Sequence, residues 1–253
     1  MTKLHDNKVS GDGNRFVIDT PVKPKTMADN EWKARLQLAA CYRIVDLFKW
    51  TSVVYNHITL RIPNTDTFLI NPFGLRYDEI RASDLISIDD EGNALSETSW
   101  PINKAGFNIH SFIHRSRPDL HSIIHTHEPS SQALCALDSP FIPLTQEACQ
   151  FHERVGYHDF RGIVLDDSEG PEIVRALGKK NHTLILKNHG LITAGSTCAW
   201  AFVRHYAFIR NAKVQLAAMA AGRVSMINQE ALKKTRDQFE TGEAQGGAKV
   251  RHP

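Results

Sequence analysis

The sequence predicts a single α/β or α+β layer domain, and three observations carry that expectation. Apolar residues recur at helical spacing over one long early segment. Short β-branched runs bounded by turn residues follow it, and helices and strands then interleave with no regular strand–helix–strand rhythm. Nothing inside the 253 residues reads as a linker, so one core is expected rather than two.

Taken in order, residues 1–27 read as an irregular arm, polar at first and then carrying Pro21 and Pro24. From about Asp29 to Lys49, the spacing of Trp32, Leu36, Ala40, Ile44, Leu47 and Phe48 predicts an amphipathic helix with Asp29 or Asn30 as its cap. His57–Ile62 alternates as a strand and Thr67–Asn71 follows the turn residues Pro63-Asn64-Thr65-Asp66, which together predict a hairpin. Leu85–Asp89 is a further strand, ended by the turn Asp90–Asn93. A helix over Phe107–Arg115 is stopped by Pro118. The β-branched run through His125 comes next, then a short helix from Pro129 to about Leu137, with proline at the first position where its missing N–H costs nothing.

Asp138–Phe160 reads as irregular. Beyond it are a strand at Gly162–Leu165, a helix Pro171–Leu177 closed by Gly178, and a strand Thr183–Leu186 that ends in the turn Asn188-His189-Gly190. A long helix Thr197–Ala221 closed by Gly222 and another at Asn228–Phe239 complete the series. The domain is therefore bounded at residues 28–240, and the small polar residues of 241–253 read as a tail.

Composition excludes several classes of function. Thirty basic and 28 acidic residues leave a formal charge of +2, too little for a general nucleic-acid-binding field. No apolar run reaches the roughly 18 residues of a membrane helix, and the polar N-terminus does not suit a secretory signal, so a cytoplasmic protein with small-molecule or protein partners is expected. Cys41, Cys135, Cys149 and Cys198 are widely separated in apolar contexts and read as buried reduced thiols. Histidine stands out at 13 residues, of which His110, His114, His121, His125 and His127 lie close together.

His125 and His127 are two apart on a predicted strand, which puts both imidazoles on one face with about 7 Å between their Cα atoms. Two neutral imidazoles so placed can converge on one metal ion, and His189 at the end of the Thr183–Leu186 strand is the candidate third ligand. The plain alternative is a set of hydrogen-bonded core histidines. His110 and His114 form a competing metal pair at helical spacing, but Ser111 stands where a zincin carries its glutamate. Gly242–Gly247 follows no strand and makes no phosphate cradle, and Ser130 and Ser131 are accounted for as helix-start residues. Glu128, Glu147, Tyr157 and His158 are acid–base candidates if the fold brings them to the metal.

The ordered set Phe68–Leu75, Ala82–Leu85, Phe107–His110, Arg117–Asp119, His125-Thr126-His127 and Asn188–Leu191 resembles the class II aldolase/adducin family over roughly residues 30–220. The resemblance implies a three-layer α/β/α single domain with a central, mostly antiparallel sheet, assembled as a homotetramer with active sites between subunits. It also implies a divalent metal held by His125, His127 and His189, with zinc first and manganese or iron as alternatives. Fuculose-phosphate-type aldolases of that family carry a Ser-Ser-Glu stretch that binds phosphate and supplies the acid–base group. Here that stretch reads Lys104-Ala105-Gly106, and the early Gly-Asn phosphate contact reads Asn56-His57. The expected function is therefore a metal-dependent carbon–carbon lyase, aldolase or decarboxylase, acting on a small oxo- or hydroxy-acid or an aromatic acid. Lys104 or Arg61 would hold an anionic group, and His158, Tyr157 or Glu147 would supply the proton. The alternatives are a non-catalytic adducin-like assembly module and an iron-dependent oxygenase on the same scaffold.

Overall fold

The β-branched and alternating runs form one seven-stranded sheet in the computed structural model, which describes residues 21–163 and 168–244. The strands are β1 (His57–Arg61), β2 (Phe68–Ile70), β3 (Ile86–Ile88), β4 (Ser122–Thr126), β5 (Val155–His158), β6 (Thr183–Leu186) and β7 (Gly190–Gly195). Their order across the sheet is β3-β2-β1-β4-β7-β6-β5, and every neighbouring pair is antiparallel except β5 with β6. Six α-helices accompany them: α1 (Asp29–Leu47), α2 (Lys104–Ser116), α3 (Pro129–Cys135), α4 (Gly170–Leu177), α5 (Cys198–Ala221) and α6 (Gln229–Ala244).

Alternation along the central strands divides the helices into two layers. Ile58, Leu60, Ile124, Ile185 and Leu191 face Leu38 and Tyr42 of α1, Leu134 of α3 and Phe208 of α5. Ile123, Leu184, Leu186 and Ile192 point the other way, onto Ile109, Phe112 and Ile113 of α2 and Ile173 and Leu177 of α4. The architecture is the expected α/β/α sandwich. Because His125 and His127 share the parity of Ile123, both lie on the α2 side of the sheet.

The differences from the sequence reading have local causes. The buried face of α1 is Ala34, Leu38, Cys41, Tyr42 and Val45, while Ile44, Leu47 and Phe48 of the expected stripe are exposed. Trp32 at the start of that stripe is buried and Leu36 packs against the core, so the expected stripe leaves the buried face only from Ala40 onward. Its cap is Ala28, in extended backbone, with no side-chain cap; Asp29 lies inside the first turn, where a carboxylate favours the helix dipole. Within the segment read as irregular lie a 3-10 turn, Glu147–Phe151, and β5, whose four residues include a glycine and make too short a pattern to register. β7 leaves no separate signal in the sequence, because its apolar residues begin directly at the turn glycine.

Gly162 and Ile163 form no strand, Gly162 having φ 114°, and the rest of the Gly162–Leu165 expectation lies outside the described residues. The last helix runs to Ala244, so the tail begins later than residue 241, and what remains of it lies outside the described residues with most of the N-terminal arm. All four cysteines are free and buried, as expected. Among the described residues no helix is long and apolar enough to cross a membrane.

A candidate metal centre

The register of three adjacent strands assembles a histidine cluster at one end of the sheet. β1 pairs His57 with His125, and β7 pairs Leu191 with Thr126. β6 and β7 close through the three-residue turn Lys187-Asn188-His189, with Leu186 opposite Gly190 and Asn188 at φ 57°. That short turn sets His189 beside the end of β4. His125, His127 and His189 offer ring nitrogens that all lie within 4.8 Å of one another. Their ring centroids are 4.7 to 4.9 Å apart.

Backbone and neighbouring side chains fix these rings. His125 Nδ1 lies 3.0 Å from the Leu191 carbonyl oxygen, which can only accept, so Nδ1 carries the proton and Nε2 presents a bare lone pair. That Nε2 is 2.9 Å from Nε2 of His127. On the other face of β4, Thr126 Oγ1 donates to His205 Nε2 at 2.7 Å, and His205 Nδ1 donates to Thr193 Oγ1 at 2.9 Å, whose own hydroxyl is spent on the Ala201 carbonyl. The strand between the two histidines is thereby tied to α5. Glu128 caps α3, accepting from Ser130 N and Ser131 N, and pairs with Lys213 at 3.2 Å.

Burial, with neighbouring imidazoles after it, holds the His125 imidazole well below its ordinary range. Burial lowers His127 to about 4, and lowers His189 against an opposing pull from Glu169. All three are therefore neutral imidazoles near neutral pH, the form that binds metal. Three neutral nitrogen donors that converge in this way, with no carboxylate or thiolate in the set among the described residues, fit a divalent metal ion.

The description "Class II Aldolase and Adducin N-terminal domain" matches residues 36–216. The chain belongs to the class II aldolase and adducin family. It is 37% identical to an aldolase II superfamily protein of Pseudomonas syringae of known structure, covering 85% of this chain and 87% of that one with a TM-score of 0.81. The L-fuculose 1-phosphate aldolase of Glaciozyma antarctica is 31% identical over 85% of this chain and 86% of its own, with a TM-score of 0.76. Rat alpha-adducin is 39% identical over 74% of this chain, which spans only 26% of that longer protein.

Within this class II aldolase-type fold, the other expected site residues separate. His158, at the end of β5, is buried, and its Nε2 lies 3.1 Å from Glu169 Oε2 in a crevice that His189 and Phe160 also line. Lys104 is the exposed first residue of α2, two positions before Gly106. Arg61 is at the far end of β1 from His57, about 13 Å away at strand rise, where its terminal nitrogens bond the His114 carbonyl and Asp66, its guanidinium lies over the Phe68 ring, and its Nε is buried without a partner. These contacts keep it apart from the three histidines within the chain. Tyr157 has the opposite parity to His158, and its hydroxyl accepts from Phe141 N at 3.0 Å. Glu147 pairs with Arg210 on α5 at 3.4 Å. Neither joins the three histidines within the chain.

His110 and His114 share a face as expected, but around a hydroxyl: Thr59 Oγ1 is 2.8 Å from a nitrogen of each. Sequence reasoning gave Glu169 no role, placed His57 only at the altered phosphate contact and read Gly190 only as a turn residue. A β-carbon on Gly190 would lie 2.7 Å from the Thr126 carbonyl, 2.9 Å from the His127 ring and 3.1 Å from the His125 ring. Only the pairing of β1 with β4 reveals His57, and nothing in sequence marks Glu169.

Two outcomes follow from this packing. Gly190→Ala pushes the ligand rings apart and lowers metal affinity by about 10-fold or more, with a stability loss of about 1–3 kcal/mol, measured by metal titration and urea unfolding. An unchanged affinity contradicts the role given to the glycine. His114 and His205 are buried and held at about 3, below the unfolded value of about 6.5, so unfolding takes up protons at any pH between those limits. Their stabilisation is complete above about 6.5 and is lost as pH falls toward 3, by up to about 1.4 kcal/mol per pH unit for each residue. Urea midpoints of the metal-free chain should fall between about pH 7 and about pH 5, where few carboxylates titrate; constant midpoints contradict the burial of neutral imidazoles.

Proposed function

We propose that the chain is a metal-dependent carbon–carbon lyase, of aldolase or decarboxylase type, acting on a small oxo- or hydroxy-acid or an aromatic acid. The observation that carries this reading is the convergence of three neutral histidine nitrogens within 4.8 Å, with no carboxylate in the set. A divalent ion there, zinc first and manganese or iron as alternatives, supplies the Lewis acid that polarises a carbonyl or carboxylate and stabilises an enolate.

The chain's own groups divide the remaining tasks. His125 is oriented by its bond to the Leu191 carbonyl, and Gly190 lets the His125 and His127 rings close together. Lys104, exposed at the start of α2, attracts the anionic end of the substrate. His158, with Glu169 oriented against its Nε2, is the group beside His189 that holds and moves a proton. In this reading Gly106 can neither carry a proton nor bind metal, which separates the chain from aldolases that use a carboxylate at that place.

The chain assembles as a homotetramer in the cytoplasm, with sites between subunits. The uncovered apolar side chains of Leu47, Phe48, Val53 and Tyr55 support burial against a second copy. The second reading is a non-catalytic assembly module, favoured by the likeness to alpha-adducin and by the glycine at 106. An iron-dependent oxygenase is the third.

Elemental analysis of the purified protein separates the first two. The lyase reading expects about one divalent ion per chain, lost in the His125→Ala/His189→Ala double variant, and release of carbon dioxide or an aldehyde from an oxo- or hydroxy-acid panel. Substoichiometric metal that is indifferent to the double substitution overturns it. Oxygen uptake by the iron-loaded protein, without cleavage under nitrogen, selects the oxygenase.

A further inference from the structure

The space beside Gly106 is filled by His57. A β-carbon built on Gly106 would lie 2.3 Å from Cδ2, 2.6 Å from Nε2 and 2.8 Å from Cγ of the His57 ring, so any side chain at 106 must displace that imidazole. His57 is closely enclosed. It is 2% exposed, and it lies between the ring of His110, with centroids 4.4 Å apart, and the ring of the ligand His125, at 4.9 Å. His125 is also its direct partner across the β1–β4 pairing, so both side chains leave the sheet on the same face.

A chain of hydrogen bonds behind His57 determines which of its nitrogens can serve as donor inward. His114 Nδ1 donates to the Leu120 carbonyl at 3.1 Å, leaving Nε2 as an acceptor for the hydroxyl of Thr59 at 2.8 Å. With its proton committed, Thr59 Oγ1 accepts from His110 Nδ1 at 2.8 Å, so His110 Nε2 is a bare acceptor. That nitrogen and His57 Nδ1 are both buried without a partner, in rings that touch. A small rotation that lets His57 Nδ1–H donate to His110 Nε2 satisfies both, and it leaves Nε2 of His57, on the edge facing Gly106, as the free base.

We propose that His57 is a positioning residue of the metal centre, housed by Gly106 and held through His110, Thr59 and His114, which buttresses the His125 ring and walls the coordination space with a neutral imidazole. This inference rests on the metal reading above. It assigns a use to the glycine, and it makes residues 57 and 106 a matched pair: a carboxylate at 106 and a histidine at 57 exclude one another.

The test is a double-substitution cycle with cobalt(II) alone as the metal probe. In the metal-free chain, Gly106→Ala should lower the melting temperature by roughly 5 °C, and the same change in a His57→Ala background should cost little, because the clash is gone. In the loaded protein, His57→Ala should keep one cobalt per chain, bind it about 10- to 100-fold more weakly and displace the visible ligand-field bands, with His57→Gln intermediate in both. Equal destabilisation by Gly106→Ala in both backgrounds overturns the pairing. Cobalt bound with unchanged affinity and bands in His57→Ala overturns the positioning role while leaving the three-histidine site intact. A wild-type chain that takes up no cobalt removes the metal reading and the role of His57 toward it together, and the metal-free cycle still reports whether residues 57 and 106 are coupled.

Discussion

Everything at the histidine cluster depends on the register of β4 between β1 and β7. Period-two alternation sends His125 and His127 to the α2 face, and the pairing of His125 with His57 and of Thr126 with Leu191 brings the neighbouring imidazoles to them. A slip of one residue would turn both ligands toward α5 and expose Ile123 and Ile124 to the wrong layers. The apolar residues that alternate with the histidines are therefore what hold the site, since the cost of unburying them fixes the register.

Burial then sets the chemistry. Among the described residues the cluster carries several imidazoles and no carboxylate, so burial keeps the rings neutral near neutral pH, and the proton positions on His125, His114 and His110 follow from a carbonyl or hydroxyl nearby. Leu191 orients His125 directly, and Leu120 orients His110 at one remove through His114 and Thr59. Neutral nitrogens that converge with fixed tautomers are costly to bury unless something uses them, because lone pairs facing one another gain nothing. A divalent ion held by the three ring nitrogens would resolve that conflict.

Much of this was legible in the sequence, for physical reasons that particular residues make plain. The His-x-His spacing on a β-branched run fixed a shared face, and the apolar run ending at Asn188-His189-Gly190 pointed to the third histidine of the cluster. The layered fold was carried by long periodic segments such as α5, which starts within one residue of the expected Thr197 and stops at Gly222 as expected. Short elements escaped: β5 and β7 have too few residues for a pattern, and the Gly190 that begins β7 reads as a turn from sequence alone. The surroundings of Arg61 and Tyr157 were not legible, because a lone arginine gives no sign of which contacts it makes and parity cannot be counted on a strand as short as β5. The roles of His57 and Gly106 required three-dimensional contact, since one residue's lack of a side chain is explained only by the other's ring.

The central claim is that His125, His127 and His189 hold one divalent ion with no carboxylate or thiolate among the protein ligands. X-ray absorption at the zinc edge of the zinc-loaded chain measures this most directly. The account predicts three imidazole nitrogens at about 2.0–2.1 Å, with the outer-ring scattering of histidine and only light oxygen scatterers completing the shell. A shell with sulfur at about 2.3 Å, or an all-oxygen shell lacking imidazole scattering, would contradict it.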